Sequence, residues 1–485
     1  MLPDDVLLEI FDTHLDQAGD IGAWHTLVHV CRQWRRVVFA SPLRLNLQLL
    51  CRPKQPVAKT LRIWPIVPIV INFVALRRRP SGMQNIIAAL EQHNRVCSIN
   101  IQNIPNSLLK EFAVLRRPFP TLTELKISSG YEIVPIVPDS FLGGSAPQLR
   151  TLELYGIPFP ALGKLLLSTR NLVDIDVREI PHSGYISPQE IVAGLSTSMG
   201  LERLTLEYQS PQSWDDRANW DPPPLTRIVL PALTRLVFKG DNQYLEAIVS
   251  RIDAPLLDSL QITFFNQLMF DTPLLGHFVS RTETFTAIHR ADVDFYTSGV
   301  YITLVRRKET FDNKTFTLKI LCKQPDWQPS SMAQVCNSII PPLPTLGKLR
   351  IGESSFPQSQ WYDDMENTEW IELLQPFTCV KDLVISEGFV PFVAPALVQE
   401  PDDESVTQAL PVLQELSLEG PHPSRAVSEA VEKFITARLL SGHPVTINAT
   451  SGPLPSPAPI PLDWPTPFFD MSTSGDLSFD TDLNA

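Results

Sequence analysis

The side chains best able to do chemistry are dispersed along the sequence and are not grouped at catalytic spacings. The nearest approach to a phosphate-binding loop is Gly156 followed by Gly163-Lys164, but this spacing is two residues too long, and Leu165 stands where Ser or Thr is required. The His-Glu-x-x-His zinc pattern, the Cys-x-x-Cys pair and the Gly-x-Ser-x-Gly elbow do not occur. The sequence therefore predicts no enzyme, no metal site and no cofactor. An enzyme carried on the fold is the least supported alternative.

Charge and cysteine content restrict the expected partners and compartment. The 485-residue chain has a formal net charge of −13, which argues against nucleic acid and anionic membranes as main partners. Its six cysteines lack paired spacing and indicate free thiols in a reducing compartment. The apolar run Leu61–Leu76 is short for a membrane span and contains Arg62, Pro65 and Pro68, so we predict buried strands there. We expect no signal peptide, and a cytoplasmic or nuclear protein or both.

The first fifty residues predict three short helices. Pro3 suits the first turn of a helix, and Val6–Phe11 carries apolar residues at i, i+1, i+4 and i+5. A loop is predicted over Asp16–Asp20, and apolar spacing resumes over Ile21–Val28 and again over Val30–Val38. A unit this small buries too little surface to be stable alone and usually needs a metal, a disulfide or a partner. Because no metal spacing is present here, we expect a partner.

Eleven residues of this segment match a known pattern in order: Leu-Pro, acidic residues, an apolar pair, Ile-Phe, then Val-Cys, a basic residue and Trp-Arg. They are Leu2, Pro3, Val6, Leu7, Ile10, Phe11, Leu27, Val30, Cys31, Trp34 and Arg35. Residues 1–50 thus resemble the F-box, although Gly22-Ala23-Trp24 departs from the family pattern. The resemblance implies that the first ten of these residues bind a Skp-type adaptor, which bridges to the cullin of a ubiquitin ligase. The alternative is an ordinary three-helix cap on the segment that follows.

A short apolar phrase recurs after this unit: an apolar residue, two others, an apolar residue, one other, and a third apolar residue. Its copies begin at Val96, Leu122, Leu149, Leu172, Leu201, Leu233, Leu257, Leu346, Val380 and Leu413. The last two apolar residues of each phrase are two apart, so they share one face of a strand. Segments with helical periodicity lie between the phrases, and this alternation predicts parallel strands joined by crossover helices.

Residues 51–447 resemble the irregular leucine-rich repeat that follows F-boxes in many fungal-type proteins. The resemblance implies an α/β solenoid with parallel strands on its concave face and helices on its convex face. The Asn or Cys that usually follows each strand is missing, and Tyr155-Gly156 and Lys239-Gly240 stand there instead. The alternative is a non-solenoid α/β domain in which the leucine spacing is accidental.

Two regions depart from the repeat. Alternating segments around residues 284–327 predict a β-hairpin that elaborates one repeat, with its turn near Asp312-Asn313. Residues 448–485 contain seven prolines, all from Pro453 to Pro467, and no Lys or Arg. We therefore predict a disordered acidic tail.

These features together predict a substrate receptor of a cullin-based ubiquitin ligase, which holds an unidentified target protein and catalyses nothing itself. The alternative is an interaction scaffold that binds the adaptor without delivering ubiquitin. Because side chains alternate along a strand, residues between and just after the core-facing positions should form an exposed target-binding face. They are Lys126, Glu153, Tyr155, Asp176, Arg178, Glu207, Lys239 and Arg350.

Overall fold

The computed structural model describes residues 2–52, 66–74, 82–114, 116–130, 134–211, 227–306, 314–341, 343–353, 367–398, 409–420, 425–440 and 442–450, together with Val57, Lys59 and Leu61. Most of the described strands belong to one sheet of sixteen, and two short strands pair with each other. The strands are β1 (Leu49–Cys51), β2 (Ile69–Val74), β3 (Val96–Gln102), β4 (Glu124–Ser128), β5 (Thr151–Tyr155), β6 (Asp174–Ile180), β7 (Arg203–Tyr208), β8 (Ile228–Val229), β9 (Arg235–Gly240), β10 (Ile252–Asp253), β11 (Ser259–Phe264), β12 (Ile288–Tyr296), β13 (Gly299–Arg306), β14 (Lys314–Ile320), β15 (Lys348–Glu353), β16 (Asp382–Ser386), β17 (Glu415–Glu419) and β18 (Thr446–Thr450).

Helices connect most of these strands. They are α1 (Asp4–Ala18), α2 (Trp24–Val30), α3 (Arg32–Ala40), α4 (Met83–Leu90), α5 (Asn106–Val114), α6 (Leu162–Leu166), α7 (Pro188–Leu195), α8 (Asn242–Val249), α9 (Pro273–Arg281), α10 (Glu283–Thr286), α11 (Trp327–Ile339), α12 (Asn367–Leu374), α13 (Val390–Val398) and α14 (Arg425–Leu440). The start of α7 shows how local sequence sets such an element. The Ser187 hydroxyl accepts a hydrogen bond from the Glu190 amide at 3.2 Å, and the Glu190 carboxylate accepts one from the Ser187 amide at 3.3 Å. This capping box, with Pro188 in the first turn, starts the helix.

The recurring apolar phrase forms the core of the large sheet. From β1 to β7, and on through β9 to β11, neighbouring strands follow chain order and pair in parallel. Leu125, Leu152 and Ile175 occupy the same register on three successive strands, and all three are fully buried. Stacking identical apolar positions buries a face that no single repeat covers alone. The protein is a mixed α/β fold with a large parallel sheet, consistent with a leucine-rich-repeat-like solenoid.

The region around residues 284–327 interrupts the parallel order. The alternating segments of the sequence are strands β12, β13 and β14, and β13 runs antiparallel to both of its neighbours. The chain leaves β11, forms β12 against β15, and returns through β13 to β14, which pairs with β11. These strands form a three-stranded antiparallel meander inside the sheet, which has one strand more than the predicted hairpin. The predicted turn near Asp312-Asn313 lies outside the described residues.

Two element boundaries differ from the sequence prediction. Helix α1 continues through Ala18, whereas we predicted a loop from Asp16 onward. Gly19 ends it at φ +61°, with its amide donating to the Leu15 carbonyl, so the glycine stops the helix and the acidic residues before it do not. Residues 448–450, which we assigned to the tail, complete β18 by pairing with β17. Residues 451–485 lie outside the described part of the chain.

Candidate functional site

The residues that approached a phosphate-loop spacing lie on different elements of the structure. Gly156 follows β5 at φ +64°, whereas Gly163 lies inside α6. The Lys164 ammonium forms an exposed ion pair with Asp139, which raises the pKa of the lysine. Among the described residues, no group of three or more His, Cys, Asp or Glu side chains could hold a metal ion. No helix in the described ranges has the length and apolar character needed to cross a membrane.

The N-terminal helical unit uses three of the predicted adaptor-binding residues for its own core. Leu7, Phe11 and Leu27 are buried, and the Phe11 ring centroid lies 4.8 Å from that of Trp34. Trp34 is half-buried. The three buried side chains therefore hold the helices together, and they offer little surface to a partner.

Other members of the predicted set form an exposed apolar patch, which we call the docking patch. Leu2, Val6, Ile10 and Val30 are 52%, 43%, 45% and 59% exposed, and Pro3 and Cys31 are exposed beside them in sequence. Val6 and Ile10 are four residues apart on α1, so they share one side of the helix, and Leu2 lies just before its first turn. Single exposed apolar residues are common, but a contiguous group indicates a binding surface.

Two hydrogen bonds bring the ends of the docking patch together. Gln33, on the first turn of α3, donates through its Nε2 to the Leu2 carbonyl oxygen and to Asp4 Oδ1, both at 3.2 Å. Val30 and Cys31 immediately precede this turn. The start of α1 and the junction between α2 and α3 therefore lie side by side.

The helical unit is fixed to the sheet through Trp24, the residue at which the sequence departs from the F-box pattern. Its side chain is buried, and its indole N–H donates a hydrogen bond to the Gln48 carbonyl oxygen at 2.8 Å. Gln48 directly precedes β1, which pairs with β2. Trp24 thus couples the unit to the first strand. The sequence signal was the departure of Gly22-Ala23-Trp24 from the pattern that the segment resembles.

The predicted target-binding residues lie on the sheet face opposite the phrase residues, which we call the polar strand face. Lys126, Glu153 and Asp176 share one register on β4, β5 and β6, as the alternation predicts. The Lys126 ammonium lies 2.9 Å from Glu153 and 3.0 Å from Glu124. Burial alone lowers the pKa of Lys126, but its hydrogen bonds to these two carboxylates raise it overall.

A second group of charges surrounds Glu207 on the same face. Arg178 pairs with Asp176 at 2.7 Å, and Lys239 pairs with Glu179 at 2.9 Å. Burial raises the pKa of the Glu207 carboxyl above its ordinary value, although the charges of Arg178 and Lys239 oppose the shift. We expected an exposed side chain, but Glu207 is only 8% exposed because this charged neighbourhood encloses it. Tyr155, on the strand before Arg178, is half-buried.

Arg350 also differs from the exposed position that we expected. It is 8% exposed, and its guanidinium lies 2.7 Å from Asp294 and 3.0 Å from Glu419. Burial alone lowers the pKa of Arg350, but the hydrogen bond with Glu419 and the charge of Asp294 raise it overall. Sequence reasoning missed this three-residue cluster because Asp294 and Glu419 lie 56 and 69 residues from Arg350. Its packing makes Arg350 an internal ion-pair residue.

Comparisons with solved structures add distant likenesses. No protein-family model matches the chain, and no curated protein sequence matches it. Among solved structures, the chain is similar to the leucine-rich repeat-containing protein LegL7 from Legionella pneumophila. The two share 12% identity with a TM-score of 0.27, over 75% of this chain and 96% of that one. A likeness at this TM-score supports no functional argument, and the α/β assignment rests on the strand pairing itself.

Proposed function

We propose that this protein is the substrate-recognition subunit of a cullin-based ubiquitin ligase. In this proposal the N-terminal unit, a member of the F-box family, docks on a Skp-type adaptor. The strands and loops that follow hold the target protein. The protein raises the concentration of target near the ubiquitin-charged enzyme and catalyses no step itself.

The observation that carries this proposal is the docking patch. A small helical unit leaves Leu2, Val6, Ile10 and Val30 exposed while burying Leu7, Phe11 and Leu27. The residues of the F-box pattern thus divide into a set that holds the unit together and a set that faces outward. Exposed apolar side chains gain stability when a partner removes them from water. The rest of the chain supplies a long polar strand face for a second partner.

Adaptor binding is tested with the full chain and a purified Skp-type adaptor by titration calorimetry. Ile10→Asp and Val30→Asp each place a charge in the apolar contact, so each should weaken binding at least 100-fold, on the order of 3 kcal/mol. Leu256→Asp is the matched control, because Leu256 is an exposed apolar residue outside the docking patch. Unchanged affinity in both docking-patch variants, with thermal unfolding like that of wild type, excludes the F-box role.

A second function of a different kind is an adaptor-binding scaffold that delivers no ubiquitin. The two functions differ in what happens to the bound target. The receptor predicts that deleting residues 1–50 prolongs the half-life of captured proteins in cells. A scaffold predicts the same captured proteins with unchanged half-lives. Proximity labelling followed by a protein-synthesis block measures both quantities in one experiment.

A further inference from the structure

Ion pairs are unevenly distributed over the described strands of the polar strand face. Ion pairs occupy it on β4 to β9 and again on β12 to β17. They are Lys126–Glu153, Arg178–Asp176, Lys239–Glu179, Arg290–Asp292, Arg350–Asp294 and Arg350–Glu419. The region between these two groups of ion pairs consists of β11, β14 and part of β13. It contributes different side chains to the polar strand face.

Lys319 on β14 is a charged residue of this central region. It lies in register between Thr263 of β11 and Tyr301 of β13, and its Nζ is 4.8 Å from the centroid of the Tyr301 ring. Within the described ranges, no carboxylate pairs with this half-buried ammonium group. Burial lowers the pKa of Lys319, and the positive charge of Lys239 lowers it further. An anion beside Lys319 would therefore stabilise its charged form.

Two hydroxyl groups flank Lys319 on the same face. Thr263 occupies the matching position on the adjacent strand, about 4.8 Å away between backbones, and Thr317 precedes Lys319 by two residues. Both threonines are half-buried, and their hydroxyls have no hydrogen-bond partner in the part of the chain that the structure describes. Each hydroxyl can donate one hydrogen bond to an incoming acceptor.

We propose that Lys319, Thr263 and Thr317 form a subsite for a carboxylate group of the target polypeptide. The assignment of the carboxylate to a target rests on the function proposed above. The charge count favours a monoanion, because Lys319 supplies one positive charge without a carboxylate and Glu179 already neutralises Lys239 at 2.9 Å. The ammonium and two hydroxyls provide charge-assisted donors for both carboxylate oxygens. The carboxylate can come from an Asp or Glu side chain or from a chain terminus.

The probe is a displayed random-peptide library selected on the full chain. Wild type should enrich peptides with an acidic residue or a free C-terminal carboxylate at one fixed position. Lys319→Gln should lower the affinity of the best such peptide by about 10- to 100-fold, the range for losing a hydrogen bond to a charged group. Lys319→Arg, which keeps the charge, should retain most of the affinity. Lys323→Gln is the matched control, because Lys323 is exposed on the loop after β14.

Variants of the selected peptide identify the source of the carboxylate. Replacing its Glu or Asp by the amide abolishes the Lys319 dependence if the side chain binds, and C-terminal amidation abolishes it if the terminus binds. Enrichment without acidic groups, equal binding by wild type and Lys319→Gln, or tenfold tighter binding of a phosphoserine peptide overturns the proposal. Thr263→Val, with weaker peptide binding expected, provides a second variant in case Lys319→Gln unfolds. Adaptor affinity is measured in parallel. A failure of the proposed ligase function can then be distinguished from a failure of the carboxylate subsite.

Discussion

Leu7 and Ile10 lie one turn apart on α1, yet they have opposite surroundings. Leu7 is 2% exposed within the core of the helical unit, whereas Ile10 is 45% exposed on the docking patch. The sequence places both in one apolar stripe and assigns both to adaptor binding. The structure separates them, because the stripe is wider than the contact between α1 and the other two helices. Folding and docking can therefore be tested with different residues.

Alanine substitutions at these two positions should affect different properties, adaptor binding for Ile10 and folding stability for Leu7. Ile10→Ala should weaken adaptor binding by about tenfold, since roughly 1.5 kcal/mol of apolar burial is lost at the contact. It should leave thermal unfolding of the free protein nearly unchanged. Leu7→Ala creates a buried cavity and should destabilise the unit by about 2–5 kcal/mol. Calorimetry with the adaptor and differential scanning calorimetry of the free chain measure the two effects.

The reverse result would contradict this division of roles. If Leu7→Ala reduced adaptor affinity without lowering the thermal midpoint, Leu7 would have to contact the adaptor directly. Val28→Ala is a suitable companion, because Val28 is fully buried in the same core and belongs to no predicted contact. It should resemble Leu7→Ala in both measurements.

The repeated leucine phrase predicted most of the sheet, because strand periodicity and stacking both depend on local spacing. Leu204, Leu236 and Leu260, for example, occupy one register as the phrase implies. The meander was only partly predictable. Its three strands alternate clearly, but which strand pairs with β11 and which with β15 depends on contacts between distant parts of the chain. Sequence periodicity identifies strands and does not determine their partners.

Removing Arg350 should destabilise the protein strongly. Arg350→Met leaves the buried carboxylates of Asp294 and Glu419 next to each other without a counter-charge, so we expect a loss of about 3–5 kcal/mol. Adding Asp294→Asn and Glu419→Gln to Arg350→Met should recover part of that stability, since the uncompensated charges are removed. Thermal unfolding of the single and triple variants provides the comparison. A triple variant less stable than Arg350→Met would contradict the electrostatic explanation.

Glu246 should make the stability depend on pH. On α8, its carboxylate accepts hydrogen bonds from the amides of Leu274 and Leu275 at 2.8 and 2.6 Å, which caps the first turn of α9. Burial raises the pKa of Glu246 to about 7, although these hydrogen bonds oppose the shift. The folded protein therefore holds a proton between about pH 4.5 and 7 that the unfolded chain releases. Its contribution to stability is complete below that window and is lost as the pH rises through about 7.

The Glu246→Gln variant isolates this contribution because glutamine does not titrate. Between pH 5 and pH 7.5 the wild type should lose up to roughly 3 kcal/mol more stability than the variant, from a pKa shift worth about 1.4 kcal/mol per unit. Thermal midpoints at both pH values measure the difference. Glu190→Gln is a control carboxylate at another helix start. Parallel pH profiles for wild type and Glu246→Gln would show that Glu246 does not titrate in this window.

The sheet face that a side chain occupies was predictable from local alternation, whereas ion pairs between distant residues were not. Lys126 and Glu153 lie on the polar strand face as predicted, and their side chains are 32% and 40% exposed. Arg350 occupies an equivalent position in the phrase but is buried by carboxylates from two other strands. Nothing within a few residues of Arg350 signals those partners. A sequence pattern gives the direction of a side chain and leaves its neighbours undetermined.

The accessible part of the polar strand face should determine which proteins are captured. We expect Glu153→Lys combined with Asp176→Lys to change the set of proteins labelled by a proximity enzyme fused to the chain, because both substitutions reverse charge on that face. The fold should tolerate them with losses of about 1 kcal/mol or less each, since partly exposed ion pairs contribute little. Asp139→Lys is the matched control, as it disrupts the exposed Asp139–Lys164 pair away from this face. An unchanged set of captured proteins, with adaptor binding intact, would place target recognition elsewhere on the molecule.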